Sequence, residues 1–90
     1  MTKTEETLLN NVLDSLDRLY DGHTYVIDVY FLLMATSAAL AETEHAIVIN
    51  EAVARLEPIC RTSMSTIERK SQALNVTDDL RLHLAKLLPM

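Results

Sequence analysis

Residues 8–22, LLNNVLDSLDRLYDG, decide the fold class. Leu8, Leu9, Val12, Leu13, Leu16, Leu19 and Tyr20 recur every three or four positions, so they share one stripe of an α-helix. Asn10, Asn11, Asp14, Asp17 and Arg18 fall on the remaining face. Upstream, Thr2 with Glu5 three residues later makes a capping-box start, and Thr4 offers a start one turn in. Glu5 and Glu6 suit the positive end of the helix dipole. Downstream, Asp21-Gly22 ends the helix, because Gly22 is free to adopt a left-handed cap conformation.

Working outward, TYVIDVYFLLMATSAALA (residues 24–41) predicts a second helix, capped by Thr24 and running to about Ala41. Val26, Val29, Tyr30, Leu33 and Leu40 mark one apolar face, and Ile27, Phe31, Ala35, Ala38 and Ala39 mark another. A helix apolar on several faces lies in the centre of a bundle or in a membrane. Seventeen residues that include Asp28, Thr36 and Ser37, without basic flanks, are marginal for a span, so a central buried helix is expected. Asp28 then needs either the favourable N-terminal end of the helix or an Arg or His across the bundle.

A third helix begins near Thr43 or Glu44 and carries Ile47, Ile49, Ala52, Val53 and Leu56 at helical intervals. Pro58 argues for a stop or a kink, and the apolar register that continues through Ile59 and Cys60 favours the kinked continuation. Ser65 and Glu68 form a second capping box, opening a helix to about Leu74 with Asn75 as its punctuation. Thr77 caps a short last helix bearing Leu80, Leu84, Leu87 and Leu88, which Pro89 ends. The expected fold is therefore all-α: one domain over residues 1–90, a compact antiparallel bundle of four to five helices.

Composition agrees. Ninety residues suit a single core, and 49% hydrophobic with 23% charged residues is the make-up of a soluble globular chain. One Gly and two Pro leave almost no hairpin chemistry. The opening MTKTEETLLNN places two glutamates early and has no apolar run of the secretory kind. Charge is uneven: residues 1–57 hold ten acidic and three basic side chains, a balance of −7, whereas residues 58–90 hold three and five, a balance of +2.

The same residues narrow the chemistry. The lone Cys60 fits a reducing compartment, can form no internal disulfide, and has no flanking nucleophile signature; its register with Leu56 and Ile59 points to burial. His23, His45 and His83 lack ligand spacing, so they read as exposed or capping histidines with no metal between them. Asp14-Ser15-Leu16 matches the prosthetic-group triplet of acyl carrier proteins, but there the serine opens a helix, whereas Ser15 lies in the middle of one. STIERKSQALNV (residues 65–76) offers Arg69 and Lys70, too little basic character for a DNA-reading helix in a chain of net charge −5. No catalytic residue, cofactor, nucleic-acid or membrane partner is expected.

What remains is an acidic surface. Asp14, Asp17 and Asp21 line one edge of the first helix, and Glu42 and Glu44 cluster between the second and third. Tyr20 and Tyr25 flank the Asp21-Gly22 turn as candidate apolar anchors. Carboxylates placed so would steer fast association with a basic partner and occupy a site made for phosphates.

The segment LYDGHTYVIDVY (residues 19–30), following a short acidic helix, resembles small bacterial immunity proteins of the colicin D and contact-dependent-inhibition kind. Leu19, Gly22, Val26 and Tyr30 carry the resemblance, which covers the first thirty residues together with overall size and charge. It implies an inhibitor that plugs the active site of a toxic nuclease in the cytoplasm of the producing cell. The alternative expectation is a self-associating module, because the second helix bears more apolar surface than so small a bundle easily covers.

Overall fold

The leucine stripe of the first segment becomes helix α1 (Lys3–Tyr20), and its whole set of end signals is used. Thr2 Oγ1 accepts the Glu5 amide at 3.1 Å, and the Thr2 amide donates to Glu5 Oε2 at 2.6 Å, completing the capping box. At the other end the His23 amide reaches Arg18 O (2.8 Å) and the Gly22 amide reaches Leu19 O (3.2 Å). Those two bonds make a Schellman motif, which Gly22 permits by taking φ +80°. The structure of the protein, a computed structural model, describes residues 1–89.

Three further helices follow: α2 (Val26–Ala39), α3 (His45–Arg61) and α4 (Thr66–Leu87). The turn from Gly22 to Tyr25 lies beside the start of α4, while Met1 and Glu5 lie with residues 42–45 and Leu87 at the far end. The chain therefore runs up, down, up and down. α1 packs on α2 and α4, α3 packs on the same two, and α1 and α3 stand on the diagonal. A radius of gyration of 12.5 Å is close to the ~12 Å typical of a globule of this length. Leu9, Leu16 and Leu19 of α1, Val29 and Leu33 of α2, Ile49 and Leu56 of α3, and Leu84 of α4 are the largest groups wholly removed from water.

The structure corrects the expected elements at several points. No break occurs at Asn75 and no fifth helix starts at Thr77. Ala73, Thr77, Leu80, Leu84 and Leu88 form one buried stripe along α4, and Thr77 Oγ1 donates back to Ala73 O (2.8 Å) instead of capping. Continuous packing outweighs the local capping preference of Thr77. α3 passes through Pro58 as favoured, with Ala54 and Pro58 both exposed, so that the bond Pro58 cannot make is lost on the solvent side of the helix. α2 starts one residue later than expected, with Tyr25 rather than Thr24 at its N-cap and no side-chain cap bond, and it ends at Ala39 rather than Ala41.

Thr43 governs the turn between α2 and α3. Its Oγ1 donates to Leu40 O (2.8 Å) and accepts the His45 amide (3.2 Å), tying the end of one helix to the start of the next. Ser37 on α2 donates to Asn50 Oδ1 on α3 and fixes the register of that pair. Every buried side-chain N or O among the described residues has a hydrogen-bond partner. At the α3–α4 corner, Arg69 donates Nε to Ile59 O (3.2 Å) and Nη2 to Thr62 O (2.8 Å), closing the C-terminal end of α3.

The capping box gives a pH signature. The Thr2 amide holds the Glu5 carboxyl below its ordinary value, against an opposing effect of desolvation and with further help from the Thr2 hydroxyl. A depressed folded pKa stabilises fully above the unfolded pKa and loses that contribution as pH falls through the folded one. The stability gap between the protein and its Glu5→Gln variant, measured by urea unfolding, is therefore expected to narrow on acidification. A gap independent of pH would contradict the ionised capping box.

Candidate functional site

Helix α2 divides its apolar side chains between two opposite arcs. Val26, Val29, Leu33, Thr36, Ser37 and Leu40 point inward and are buried. Ile27, Phe31 and Met34, at intervals of four and three, point outward and are 43%, 58% and 43% exposed. Ala35, Ala38 and Ala39 complete the outward arc, and Asp28 is its one charge. The expectation of a central buried helix is thus corrected: α1 and α3, with a smaller contact from α4, cover one side of α2 and leave the other to solvent. The rings of Tyr30 and Phe31 sit 5.8 Å apart in a tilted pair, which holds Phe31 in place from the half-buried seam.

The strip continues onto α3. Ser37 pairs with Asn50, and two residues one turn to either side of Asn50 on α3 are exposed and apolar. These are Ile47, 67% exposed, and Ala54, also exposed. Tyr25, 70% exposed, stands at the N-terminal end of the same helix. A run of exposed carbon this long along two adjacent helices exceeds the scattered single apolar residues of an ordinary surface.

Carboxylates bracket it. Asp21 and Asp28 lie at the N-terminal end of α2, Glu42 and Glu44 follow its C-terminal end, and Glu51 follows Asn50 on α3; all five are exposed. Asp28 is accounted for by its place in the exposed first turn of α2, as a carboxylate at the positive end of a helix.

The acidic edge expected on α1 is placed differently from the rest. Asp17 Oδ1 accepts from Arg81 Nε of α4 at 2.8 Å, and Arg81 Nη1 lies 3.8 Å from Asp78. The same guanidinium sits 5.0 Å from the centre of the exposed Tyr20 ring. The hydrogen bond that Arg81 donates to Asp17, opposed by desolvation and reinforced by the charges of Asp17 and Asp78, raises the pKa of Arg81. Asp17 and Tyr20 therefore serve first as a tie between α1 and α4. Asp14 and Asp21 make no ion pair among the described residues. Glu42 and Glu44 lie at the opposite end of the bundle from Asp21 and Tyr25, so the seven candidate residues form no single patch; Asp21, Tyr25, Glu42 and Glu44 instead surround the outward arc of α2.

Sequence reasoning missed Ile27, Phe31, Met34 and Ile47 as surface residues. The signal existed, because α2 has an apolar residue at nearly every position and no polar face to turn outward. The histidines also need one correction: His23 and His83 are exposed, but His45 is buried where α3 begins. Cys60 is half-buried against the core, and desolvation pushes its thiol pKa up, with Arg69 pulling the other way, so the protonated form is favoured. No group of three or more His, Cys, Asp or Glu among the described residues is arranged to hold a metal ion. No described helix is long and apolar enough to cross a membrane.

Comparison with known proteins finds no matching family model, no matching curated protein and no matching solved structure.

The α1–α4 tie is measurable. Asp17 and Arg81 are half-exposed and one-third exposed, so solvent screens the pair, and a coupling of about 0.5–1 kcal/mol is expected from a double-mutant cycle with Asp17→Asn and Arg81→Met in urea unfolding. Additive effects of the two substitutions would show that the contact contributes nothing.

Proposed function

We propose that this protein acts without chemistry of its own, by binding a basic partner protein through the outward arc of α2. The observation that carries this is the exposed Ile27–Phe31–Met34 stripe, with carboxylates at both ends of α2 that enter no ion pair among the described residues. Aromatic and Met side chains desolvated at the centre of a contact supply most of its binding energy, and a charged rim sets partner choice and on-rate. Here the centre is carbon and the rim is acidic, within a part of the chain whose charge balance is −7 over residues 1–57. The complementary surface is an apolar ridge edged by Lys and Arg.

The specific form of this reading is a toxin-neutralising immunity protein in the bacterial cytoplasm, covering the phosphate-binding surface of a nuclease toxin. Its supports are the resemblance carried by Leu19, Gly22, Val26 and Tyr30 and the acidic rim. Nuclease sites are cationic because they bind a polyanion, and clustered carboxylates offer them a substitute for phosphate. Self-association through the same stripe is the competing reading. A two-fold contact on α2 would bring Asp21 and Asp28 or Glu42 and Glu44 of one copy against carboxylates of the other, and like-charge juxtaposition opposes it.

The test compares three forms of the tagged protein as bait in its native lysate: unaltered, Phe31→Glu, and Asp79→Lys on α4. The expected result is one basic partner retained by the unaltered and Asp79→Lys forms, released by rising salt, and lost with Phe31→Glu while the bundle remains folded by circular dichroism. Loss of the aromatic anchor is expected to cost about 2 kcal/mol or more, roughly thirtyfold in Kd. Retention of the partner by Phe31→Glu, or a dimer of the bait alone, would overturn the proposal.

A further inference from the structure

Lys70 presents the least explained charge in the molecule. It is half-buried in a protein with five more carboxylates than cations, yet it enters no ion pair among the described residues. Its ammonium lies against the α1–α2 turn, 3.4 Å from the point a Cβ on residue 22 would occupy, in space that Gly22 leaves open. Beside it is a cleft of about 350 Å³, within the size range of small-molecule sites. Leu19, Val26, Ile27 and Cys60 make its walls largely carbon, with the Cys60 thiol protonated.

The surroundings of the cleft are electropositive for three separate reasons. Lys70 is a cation with no ion pair among the described residues. Arg69 also lines the cleft, but its bonds to Ile59 O and Thr62 O fix it as a wall, so it contributes charge without mobility. The first turns of α2 and α4 both border the cleft, and α2 has no side-chain cap for its leading amides. Of the carboxylates at this end, Asp28 and Glu68 line neighbouring depressions, and Asp21, beside Gly22, does not line the cleft.

We infer that this cleft binds a small amphipathic carboxylate, its anionic head on Lys70 and its apolar tail among Leu19, Val26 and Ile27. One cation outside any described ion pair matches one negative charge, and carbon walls match a short aliphatic or aromatic tail rather than a bare inorganic anion. The inference does not rest on the partner reading, because Lys70 lies outside the acidic rim and the test needs no partner.

The probes are octanoate, octanol and inorganic phosphate, titrated separately into the intact protein and followed by amide chemical shifts. Octanoate is expected to give saturable shifts at Val26, Ile27 and Lys70 and to slow alkylation of Cys60 by iodoacetamide at mildly alkaline pH. Octanol is expected to bind more weakly, and phosphate to leave those amides unmoved. Lys70→Met keeps the apolar stem and removes the charge, so octanoate affinity should fall about tenfold while octanol affinity holds. Absence of saturable octanoate shifts, equal binding of octanoate and octanol, unchanged affinity in Lys70→Met, or phosphate reproducing the shifts would each overturn the inference. The comparison of octanoate with octanol on the unaltered protein stands whatever the stability of the variant.

Discussion

A ring of four helices lets each helix bury only the arc that faces its two neighbours, and every helix must therefore offer something to water on its outer side. α1 meets that constraint with Asn10, Asn11, Asp14 and Arg18, and α4 with Gln72, Asp78, Asp79 and Lys86. α2 does not: outside its first turn it has no charged residue, and its inner and outer arcs are equally rich in carbon. The inner arc is spent on the core through Val29 and Leu33. The outer arc contributes little to folding, since Phe31 and Ile27 remain largely or partly in contact with water. Exposed apolar surface of this kind is the ground on which the binding proposal rests.

Electrostatics follow the same division. The part of the chain that builds α1, α2 and α3 carries the excess of carboxylates, and those in no ion pair among the described residues lie on α1 (Glu6 and Asp14 among them), at the two ends of α2 and along α3. α4 and the α3–α4 corner hold most of the cations, and these are largely committed inside the molecule: Arg81 to Asp17, Arg69 to the carbonyls of Ile59 and Thr62, Arg61 to Glu57. Lys70 and Lys86 enter no ion pair among the described residues, and of the two it is Lys70 that lines the cleft at the start of α4, apart from the acidic face. The two regions share only Tyr25 and Ile27, at the start of α2.

Most of the fold was legible in the sequence, for reasons that differ by element. α1 was read in full because the capping box, the leucine stripe and Gly22 all agree with the packing that results. In α4 they disagree: Asn75 and Thr77 invite a break, but Ala73, Thr77, Leu80 and Leu84 are already in line on the core, and tertiary burial decides. For α2, periodicity alone gave two apolar faces and no means to choose between them; which face is covered depends on where α1 and α3 dock. The candidate carboxylates were legible as residues but not as a surface. Asp17 meets Arg81 across 64 positions of sequence, and no local pattern announces such a pairing.

The most direct measurement of whether the outer arc of α2 is spare from folding is equilibrium urea unfolding of the Ile27→Gln, Phe31→Gln, Met34→Gln triple variant, beside Leu33→Ala on the inner arc. The account predicts that the triple variant stays within about 0.5 kcal/mol of the unaltered protein, as exposed positions do, while Leu33→Ala loses about 2–5 kcal/mol. A triple variant destabilised as severely as Leu33→Ala would place those side chains in the core and remove the binding surface on which the proposal stands.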